Sequence, residues 1–517
     1  MTEPSADVAG AAQPAVLPPA AAAEVRETHS AVVLLCGEFA YKVKKPVDLG
    51  FLDFSTAERR RAACHRELVL NRRMTPDVYV EVLDLVDEQG TARDHVLVMR
   101  RMPDDRRLST LVRQGSDVTE AVRQLARQVA SFHSSARTNA QISECGSPEA
   151  LEQRWRSNTE ALRQLAPSGV PTATIAEVER LCAAYVSGRR ALLEDRMRTG
   201  RVRDGHGDLL ADDIFLLPQG PRVLDCLDFD DTLRWMDVVD DLASLVMDLE
   251  RLGAAPVAAQ LVRDYHEFSG AVEPSSLAHH YVAYRAVMRC KIAAIRESTS
   301  TGAARDAAAR EAAVLAAIGV RHLRAGVPRL VLVGGAPGTG KSTTADRLGE
   351  LLSVGVLSAD RVRKELAGLS PDVHHPEPYG VGLYSQESTD ATYRSLAAKA
   401  RYLVGRGETV VVDASFSTVA QRDLFHAVGS DLRSPVVGLE CAAPREVVAA
   451  RLRGREHVPS QYSDADLDVG MKLAGARQAW PSAVTVDTTA SPELTARRAA
   501  ETVSGAVAET VSGAVGS

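Results

Sequence analysis

Residues Gly335-Ala336-Pro337-Gly338-Thr339-Gly340-Lys341-Ser342 fit the phosphate-loop pattern GxxxxGK[ST]. The loop is set between the apolar run Leu330–Val333 and a segment, Thr343 to Leu352, whose Ala345, Leu348, Leu351 and Leu352 recur at helical spacing. Strand, loop and helix in this order define the start of an α/β unit. The glycines let successive backbone N–H groups turn onto phosphate oxygens, Lys341 reaches the outer phosphates, and Ser342, followed by Thr343, offers a hydroxyl to Mg²⁺. Because the loop starts at residue 335 of 517, a long region precedes it, and a chain of this length exceeds what one core can organise. Two parts are therefore expected.

Residues 1–25 are mostly Ala and Pro and read as a disordered tail. Strand-type runs follow at Ala31 to Leu35, Phe39 to Val43, Tyr79 to Val86 and His95 to Met99, with a helix around Thr56 to Met74. Helical patterns then dominate, at Thr119 to Ser135, Ile175 to Arg198, Ser276 to Glu297 and Gly302 to Ala325. From residue 326 onward strands alternate with helices, at Gly355 to Leu357, Thr409 to Val412, Val436 to Glu440 and Val484 to Val486, which implies a parallel sheet covered on both faces. The end, 493–517, repeats Glu501 to Val507 as Glu509 to Val515 and reads as a tail or helix extension.

Charge excludes little but informs. From residue 326 there are 20 basic against 22 acidic residues, and 41 against 46 before it, so neither part carries the basic surplus of a nucleic-acid footprint. No apolar run approaches the ~18 residues of a membrane span, and seven cysteines without a CxxC pair suggest neither a disulfide framework nor a zinc site. A cytoplasmic location is expected.

Downstream of the phosphate loop, the strand ending at Leu357 leads into Asp360 and Arg363 at DxxR spacing. In a parallel sheet the carboxyl ends of neighbouring strands share one crevice with the loop, so Asp360 can take a proton from an attacking hydroxyl while Arg363, one turn on, holds substrate. Asp360 also suits a helix cap, and the two roles are compatible. Asp413, after the strand ending at Val412, is placed to act on Mg²⁺ through water. Among Arg445, Arg451, Arg453 and Arg455, the i and i+4 pair Arg451 and Arg455 are the candidates for an arginine lid over a transferring phosphoryl group. Together these motifs resemble the small P-loop kinases related to gluconate kinase, zeta toxins and phage polynucleotide kinase, over about residues 328 to 490. That resemblance implies Asp360 as general base and ATP as phosphoryl donor.

The preceding region carries Gly205-His206-Gly207-Asp208-Leu209, then Asp213 and Leu224-Asp225. Three carboxylates around two short strands suit a catalytic loop, with Asp208 toward an acceptor hydroxyl and Asp213 and Asp225 toward Mg²⁺. Lys42 and Lys44 share one strand face, and Glu67 lies in the next helix; Lys42, in Ala40-Tyr41-Lys42, is preferred as the partner of Glu67 in a phosphate clamp. These residues resemble the aminoglycoside phosphotransferase superfamily of protein-kinase-like enzymes. Two further segments, Tyr41 to Asp53 and Arg234 to Ala243, resemble a bacterial group in which such a domain is fused to a P-loop kinase domain. The resemblance implies an ATP clamp at Lys42 and Glu67, a base at Asp208 and a Mg²⁺ ligand at Asp225. Three positions depart from the superfamily pattern: Asp213 stands where Asn is usual, Leu210 where His is common, and no Gly-rich loop precedes Lys42.

The expected fold is thus α/β and α+β, with a two-lobed kinase-like domain at 26–325, a P-loop kinase domain at 326–492 and tails at 1–25 and 493–517. The expected activity is ATP- and Mg²⁺-dependent phosphorylation of a small hydroxylated acceptor by two modules. Two alternatives stay open: a nucleotide-sensing pseudokinase regulating the P-loop half, and a nucleic-acid end kinase or ATPase. In the helix around Tyr281 to Glu297, Arg285, Arg289 and Arg296 run beside an apolar stripe, which suits either a neutral or anionic acceptor or a solvated flank.

Overall fold

Alternating apolar residues near the amino end pair as an antiparallel sheet of β1 (Glu24–Glu27), β2 (Ala31–Cys36), β3 (Phe39–Lys44), β4 (Tyr79–Val86) and β5 (Ala92–Arg100), in the order β1-β2-β3-β5-β4. The computed structural model describes residues 24–48, 50, 52–370, 381–455 and 477–512. Strand β1 takes up Glu24 and Val25, at the end of the stretch read as tail, by pairing Glu24 with Leu35 and Val25 with Leu34. The helix Ala57–Asn71 starts where the Thr56 side chain accepts the Arg59 N–H. Its inner face carries Cys64, Glu67, Leu68 and Asn71 at spacings of three, four and seven, which a helix places on one side. Cys64 and Leu68 pack with Val78, Tyr79 and Leu97, so the apolar neighbours of Glu67 fix the helix against the sheet.

Packing divides the chain into two compact units, Met1–Arg137 with Arg203–Ala271, and Thr138–Val202 with Val272–Ser517. This division runs elsewhere than the motif boundary at 325/326, because helices of the first half group with the parallel sheet. The first unit continues beyond β6 (Val202–Asp204) with β7 (Ile214–Leu217) and β8 (Gly220–Val223), an antiparallel hairpin that pairs Ile214 with Val223. That register sets Asp213 across from Leu224, whose N–H donates to the Asp213 carbonyl at 3.0 Å. The hairpin thereby folds Asp225 back toward Asp213. After β9 (Trp235–Asp237), the Asp237 side chain caps the helix Val238–Arg251 by accepting the Val239 N–H.

The second unit contains the parallel sheet of β10 (Leu330–Gly334), β11 (Gly355–Ser358), β12 (Val410–Asp413), β13 (Val436–Ala442) and β14 (Val484–Asp487), in the order β11-β12-β10-β13-β14. β10 is buried along its whole length, as a central strand covered on both faces requires. Its alternate residues face two cores: Leu330 and Leu332 meet Leu396 and Phe425, while Val331 and Val333 meet Ala345 and Leu348. Of the two readings of 493–517, tail or helix extension, the structure has a helix, Pro492–Ser512, whose Ala499 and Val503 complete the second of these cores. An apolar spacing of four on a helix is a packing signal that the duplicated segment concealed.

The long helix expected over Ile175 to Arg198 is corrected. It is two helices, Thr172–Gly188 and Arg190–Arg198, broken at Arg189, whose φ of −115° and ψ of 19° are not helical. The break turns the Arg189 guanidinium onto the carbonyls of Val404 and Leu432 at 2.5 and 2.6 Å. The helix Gly302–Ala325 has the expected bounds and packs on Ser275–Thr299. On the latter, Arg285 is buried and Arg296 pairs with Glu311 at 2.6 Å, so this part of the basic run is engaged in packing. No described helix is long and apolar enough to cross a membrane.

Candidate active sites

In the first unit, period-two alternation along β3 puts Lys42 and Lys44 on one face, toward the inner face of the helix Ala57–Asn71. Glu67 receives both: Lys42 Nζ donates to Oε1 at 2.7 Å and Lys44 Nζ lies 2.7 Å from Oε2. Each lysine has a second carboxylate, Asp225 for Lys42 at 3.3 Å and Asp228 for Lys44 at 2.9 Å. Burial opposes ionisation of Glu67, but the two ammonium groups outweigh it and hold its carboxyl at about 2. Burial also works against the Lys42 ammonium, and Asp225 and Glu67 reverse it, raising its pKa well above the usual lysine value. Asp225 itself adopts φ +62°, a left-handed conformation Asp tolerates better than most residues, while its N–H donates to the Tyr79 hydroxyl at 3.1 Å.

The loop carrying Asp208 is held by a buried carboxylate. Asp241, fully enclosed, accepts the N–H groups of His206 and Gly207 at 2.6 and 2.9 Å and faces His133 Nε2 at 3.1 Å. Burial would raise its pKa, yet these donors hold it well below the ordinary carboxylate range. A side chain at Gly205 would put its Cβ 2.4 Å from Asp241 Oδ2, so only glycine allows this approach. Arg234, buried, donates to Asp204 at 2.9 Å and to the Leu227 carbonyl at 2.9 Å, tying the Asp208 side to the Asp225 side. The Asp213 carboxyl is pushed well above its usual range by burial first, and then by the charges of Asp225 and Asp208. Such a surplus of negative charge is what a divalent cation relieves. Among the described residues no three His, Cys, Asp or Glu side chains form a ready metal cluster. Asp213 and Asp225 as two protein ligands fit Mg²⁺, which characteristically completes its shell with phosphates and water.

In the second unit the parallel register decides the site. Val333 stands beside Asp413, and Asp413 beside Ser358, so the phosphate loop, Asp413 and the turn to Asp360 emerge at one edge of the sheet. Gly335, Gly338 and Gly340 have φ of +150°, +82° and +88°, and the helix Lys341–Leu352 begins directly after them. A Cβ at Gly338 would lie 2.9 Å from Val448 Cγ1. Burial raises the Asp413 carboxyl; Lys341 and the Ser342 hydroxyl pull it back. Arg363 donates to Asp360 at 2.5 Å, and its guanidinium lies over the Tyr384 ring at 4.8 Å. Arg451 donates to the Thr488 hydroxyl and carbonyl at 3.1 and 2.6 Å, and Thr488 Oγ1 donates to the Thr339 carbonyl at 2.7 Å. Arg451 therefore sits against the loop, buttressing it through Thr488. The side chain of Arg455 lies outside the described residues.

The structure thus brings Lys42, Glu67 and Asp225 into direct contact, places Asp208 and Asp213 in the same electrostatic neighbourhood, and gathers residues 335 to 343, Asp360, Arg363 and Asp413 at one sheet edge. Sequence reasoning missed the second pair, Lys44 with Asp228, although both lie at strand or loop offsets of two and three from residues it selected. It also missed Asp241, Arg234 and Thr488. The segment Arg234 to Ala243 was singled out, but spacing alone does not show that its Arg and Asp face inward. Arg477 was not selected either; it donates to the Ser415 carbonyl at 2.5 Å and to Glu440 at 2.6 Å.

Two families match successive stretches of the chain. The phosphotransferase enzyme family matches residues 49–278 and an AAA domain family matches residues 330–479. The chain joins a protein-kinase-like phosphotransferase domain to a P-loop kinase-like domain. Over 465 residues it is 39% identical to the uncharacterized protein Rv2004c of Mycobacterium tuberculosis, covering 90% of this chain and 92% of that one, and it matches Mb2027c of Mycobacterium bovis to the same extent. It belongs to the family of these mycobacterial proteins. Among solved structures, a choline/ethanolamine kinase family protein from Mesorhizobium loti is 14% identical with a TM-score of 0.35, over 59% of this chain and 93% of that one. A sugar kinase from Janibacter is 21% identical with a TM-score of 0.26, over 36% and 98%. The APS kinase CysC of Mycobacterium tuberculosis is 19% identical with a TM-score of 0.26, over 34% and 98%.

Proposed function

We propose that this phosphotransferase uses ATP and Mg²⁺ at two separate sites, each transferring the γ-phosphoryl group to a hydroxyl of a small metabolite. The observation that carries the reading is the ion-pair chain Asp225–Lys42–Glu67, which fixes an ammonium beside a candidate metal ligand. Such an arrangement orients phosphates and supplies positive charge where the transferring group needs it. Mg²⁺ would neutralise phosphate charge at Asp213 and Asp225 in the first site and near Ser342 and Asp413 in the second.

The chain's own residues divide the remaining work. In the first site Lys42 binds phosphate oxygens, and Asp208, on the loop anchored by Asp241, accepts the acceptor hydroxyl's proton. In the second site the backbone of residues 335 to 340 and Lys341 cradle phosphates, Asp360 accepts the proton, and Arg363 positions both Asp360 and the acceptor. Arg451 holds the loop's shape and, with Arg455, adds positive charge. The functional modules follow the motifs, 26–325 and 326–492. Seven free thiols support a reducing, cytoplasmic setting.

Calorimetric titration with a non-hydrolysable ATP analogue and Mg²⁺ tests the two-site reading. Two bound nucleotides per chain are expected, falling to one in Lys341→Ala and to one in Lys42→Met. A single bound nucleotide in the wild type, abolished by Lys341→Ala, would refute it.

A further inference from the structure

A cavity of about 380 Å³ lies within the second unit, away from the phosphate-loop edge. Its walls come from the end of the helix Thr172–Gly188, from His280 and His322 on the paired long helices, and from the turn 429–436 that enters β13. That turn precedes the strand, so the cavity borders the amino ends of the sheet, whereas the phosphate loop leaves β10 at its carboxyl end. With about 3.3 Å per residue, the five residues of β10 separate the two edges by roughly 16 Å. The volume is that of a small-molecule site at the lower end of the usual range.

The charges along this wall are one-sided. Arg180, Arg189 and Arg433 line the cavity together with His280, His322 and His426, and among the described residues no Asp or Glu does. Arg189 is 1% exposed, and its guanidinium donates to neutral acceptors, the carbonyls of Val404 and Leu432 and the Ser434 hydroxyl. Among the described residues its Nε has no hydrogen-bond partner. Burial lowers the Arg189 pKa to about 10, with only Tyr185 opposing, which is the mark of a buried cation lacking a counter-charge. His280, also 1% exposed, takes the Trp155 indole N–H on Nε2 at 3.1 Å, leaves Nδ1 without a partner, and stacks on Tyr185 at 4.2 Å between ring centroids. Arg180, His426 and Arg433 are exposed at the rim, while Leu181, Leu323 and the Tyr185 ring supply apolar floor. A buried guanidinium is costly unless something offsets it, and an anion entering this cavity would do so while burying a non-polar body against the floor.

We propose that this cavity is a further, non-catalytic ligand site that takes a small organic anion, its carboxylate or phosphate head among Arg180, Arg189 and Arg433 and its body against Tyr185. The site bears on the sheet that carries the phosphate loop. Arg189 grips Val404 and Ser434, which lead into β12 and β13, and the far ends of those strands carry Asp413 and the Cys441 backbone beside Gly335.

The test uses the full-length chain and three probes: citrate, glucose 6-phosphate, and glucose as the uncharged control. Binding is followed by calorimetry in the wild type and in Arg180→Ala/Arg433→Ala, whose two side chains are at the rim and leave the buried network intact. A non-hydrolysable ATP analogue reports on the phosphate loop in the same samples. The expected result is that citrate or glucose 6-phosphate binds with a dissociation constant below about 1 mM and weakens about tenfold or more in the double variant. Glucose should not bind there, and affinity for the ATP analogue should be unchanged. Citrate binding alone would identify a carboxylate ligand, and glucose 6-phosphate binding alone a phosphate ester. Binding of neither anion, or anion binding of equal strength in wild type and double variant, would overturn the proposal; in the second case the probe sits at another site such as the phosphate loop.

Discussion

In the function proposed, the two candidate sites would hold phosphate near a proton acceptor with different materials. The second unit uses backbone: three glycines at positive φ, a helix start and a parallel register that delivers Asp413 and Asp360 to one edge. The first unit uses side chains, an alternating row of Asp225, Lys42, Glu67, Lys44 and Asp228 that crosses three chain segments. A backbone cradle is broken by adding atoms, and an ion-pair row by removing charge. The same distinction predicts that pH will act mainly on the first unit.

The largest effect is expected from Lys42→Met. Removing one partner of a mostly buried pair leaves Glu67 with Lys44 alone, a loss of about 3 kcal/mol, visible as a lower melting temperature together with weaker ATP-analogue binding in the first unit. If melting is unchanged, the row is not the structural element described. Gly338→Ala attacks the other material: a Cβ at φ +82° and 2.9 Å from Val448 Cγ1 strains the loop by ~1–3 kcal/mol, so nucleotide affinity at the phosphate loop should fall while that of the first unit stays constant.

The third expectation concerns acid. The folded-state pKa of Glu67, about 2, lies below its unfolded value, so its contribution to stability is present above that unfolded value and is lost as pH falls through the folded one. Chemical denaturation between about pH 5 and about pH 2.5, roughly the upper part of this window, should show a steep loss of stability that Glu67→Gln flattens. An unaltered slope would remove Glu67 from the account. The smallest effect has the opposite sign. Asp213 has a raised pKa, so its ionisation weakens the fold as pH rises above the unfolded carboxylate value. In metal-free buffer at neutral pH, Asp213→Asn should raise the melting temperature by ~2–4 °C, about 1 kcal/mol; a decrease would mean that the carboxylate is compensated by something other than a metal.

The contrast of materials also explains what could be read in advance. The phosphate loop is contiguous, so residues 335 to 343 and their strand and helix were legible directly, as were Asp360 and Asp413 at strand ends. In the first unit, Lys42, Glu67, Asp208 and Asp225 were singled out by strand pattern and carboxylate spacing in separate stretches, and it took the family resemblance to join them, since their chemistry is assembled across the sequence. Asp241 and Arg234 stayed unassigned because a charged residue on a helix or in a loop is usually exposed, and only packing shows these two turned inward. The helix break at Arg189 was hidden for the same reason: the carbonyls that receive its guanidinium lie more than two hundred residues away. In the terminal helix, the repeat of Glu501 to Val507 suggested duplication and masked the Ala499 and Val503 contacts that fasten it to the core.

The central claim is that both materials build working phosphotransfer sites. It is tested most directly by following ATP consumption with a pool of small hydroxylated metabolites in wild type, Lys341→Ala, Asp208→Asn and the double variant. Two separable activities are predicted: each single variant loses turnover of some acceptors by about 10²–10⁴-fold, retains the others, and the double variant loses both. If Asp208→Asn leaves every turnover intact while Lys341→Ala abolishes all of them, the first site is not catalytic and the account of two phosphotransfer sites is contradicted.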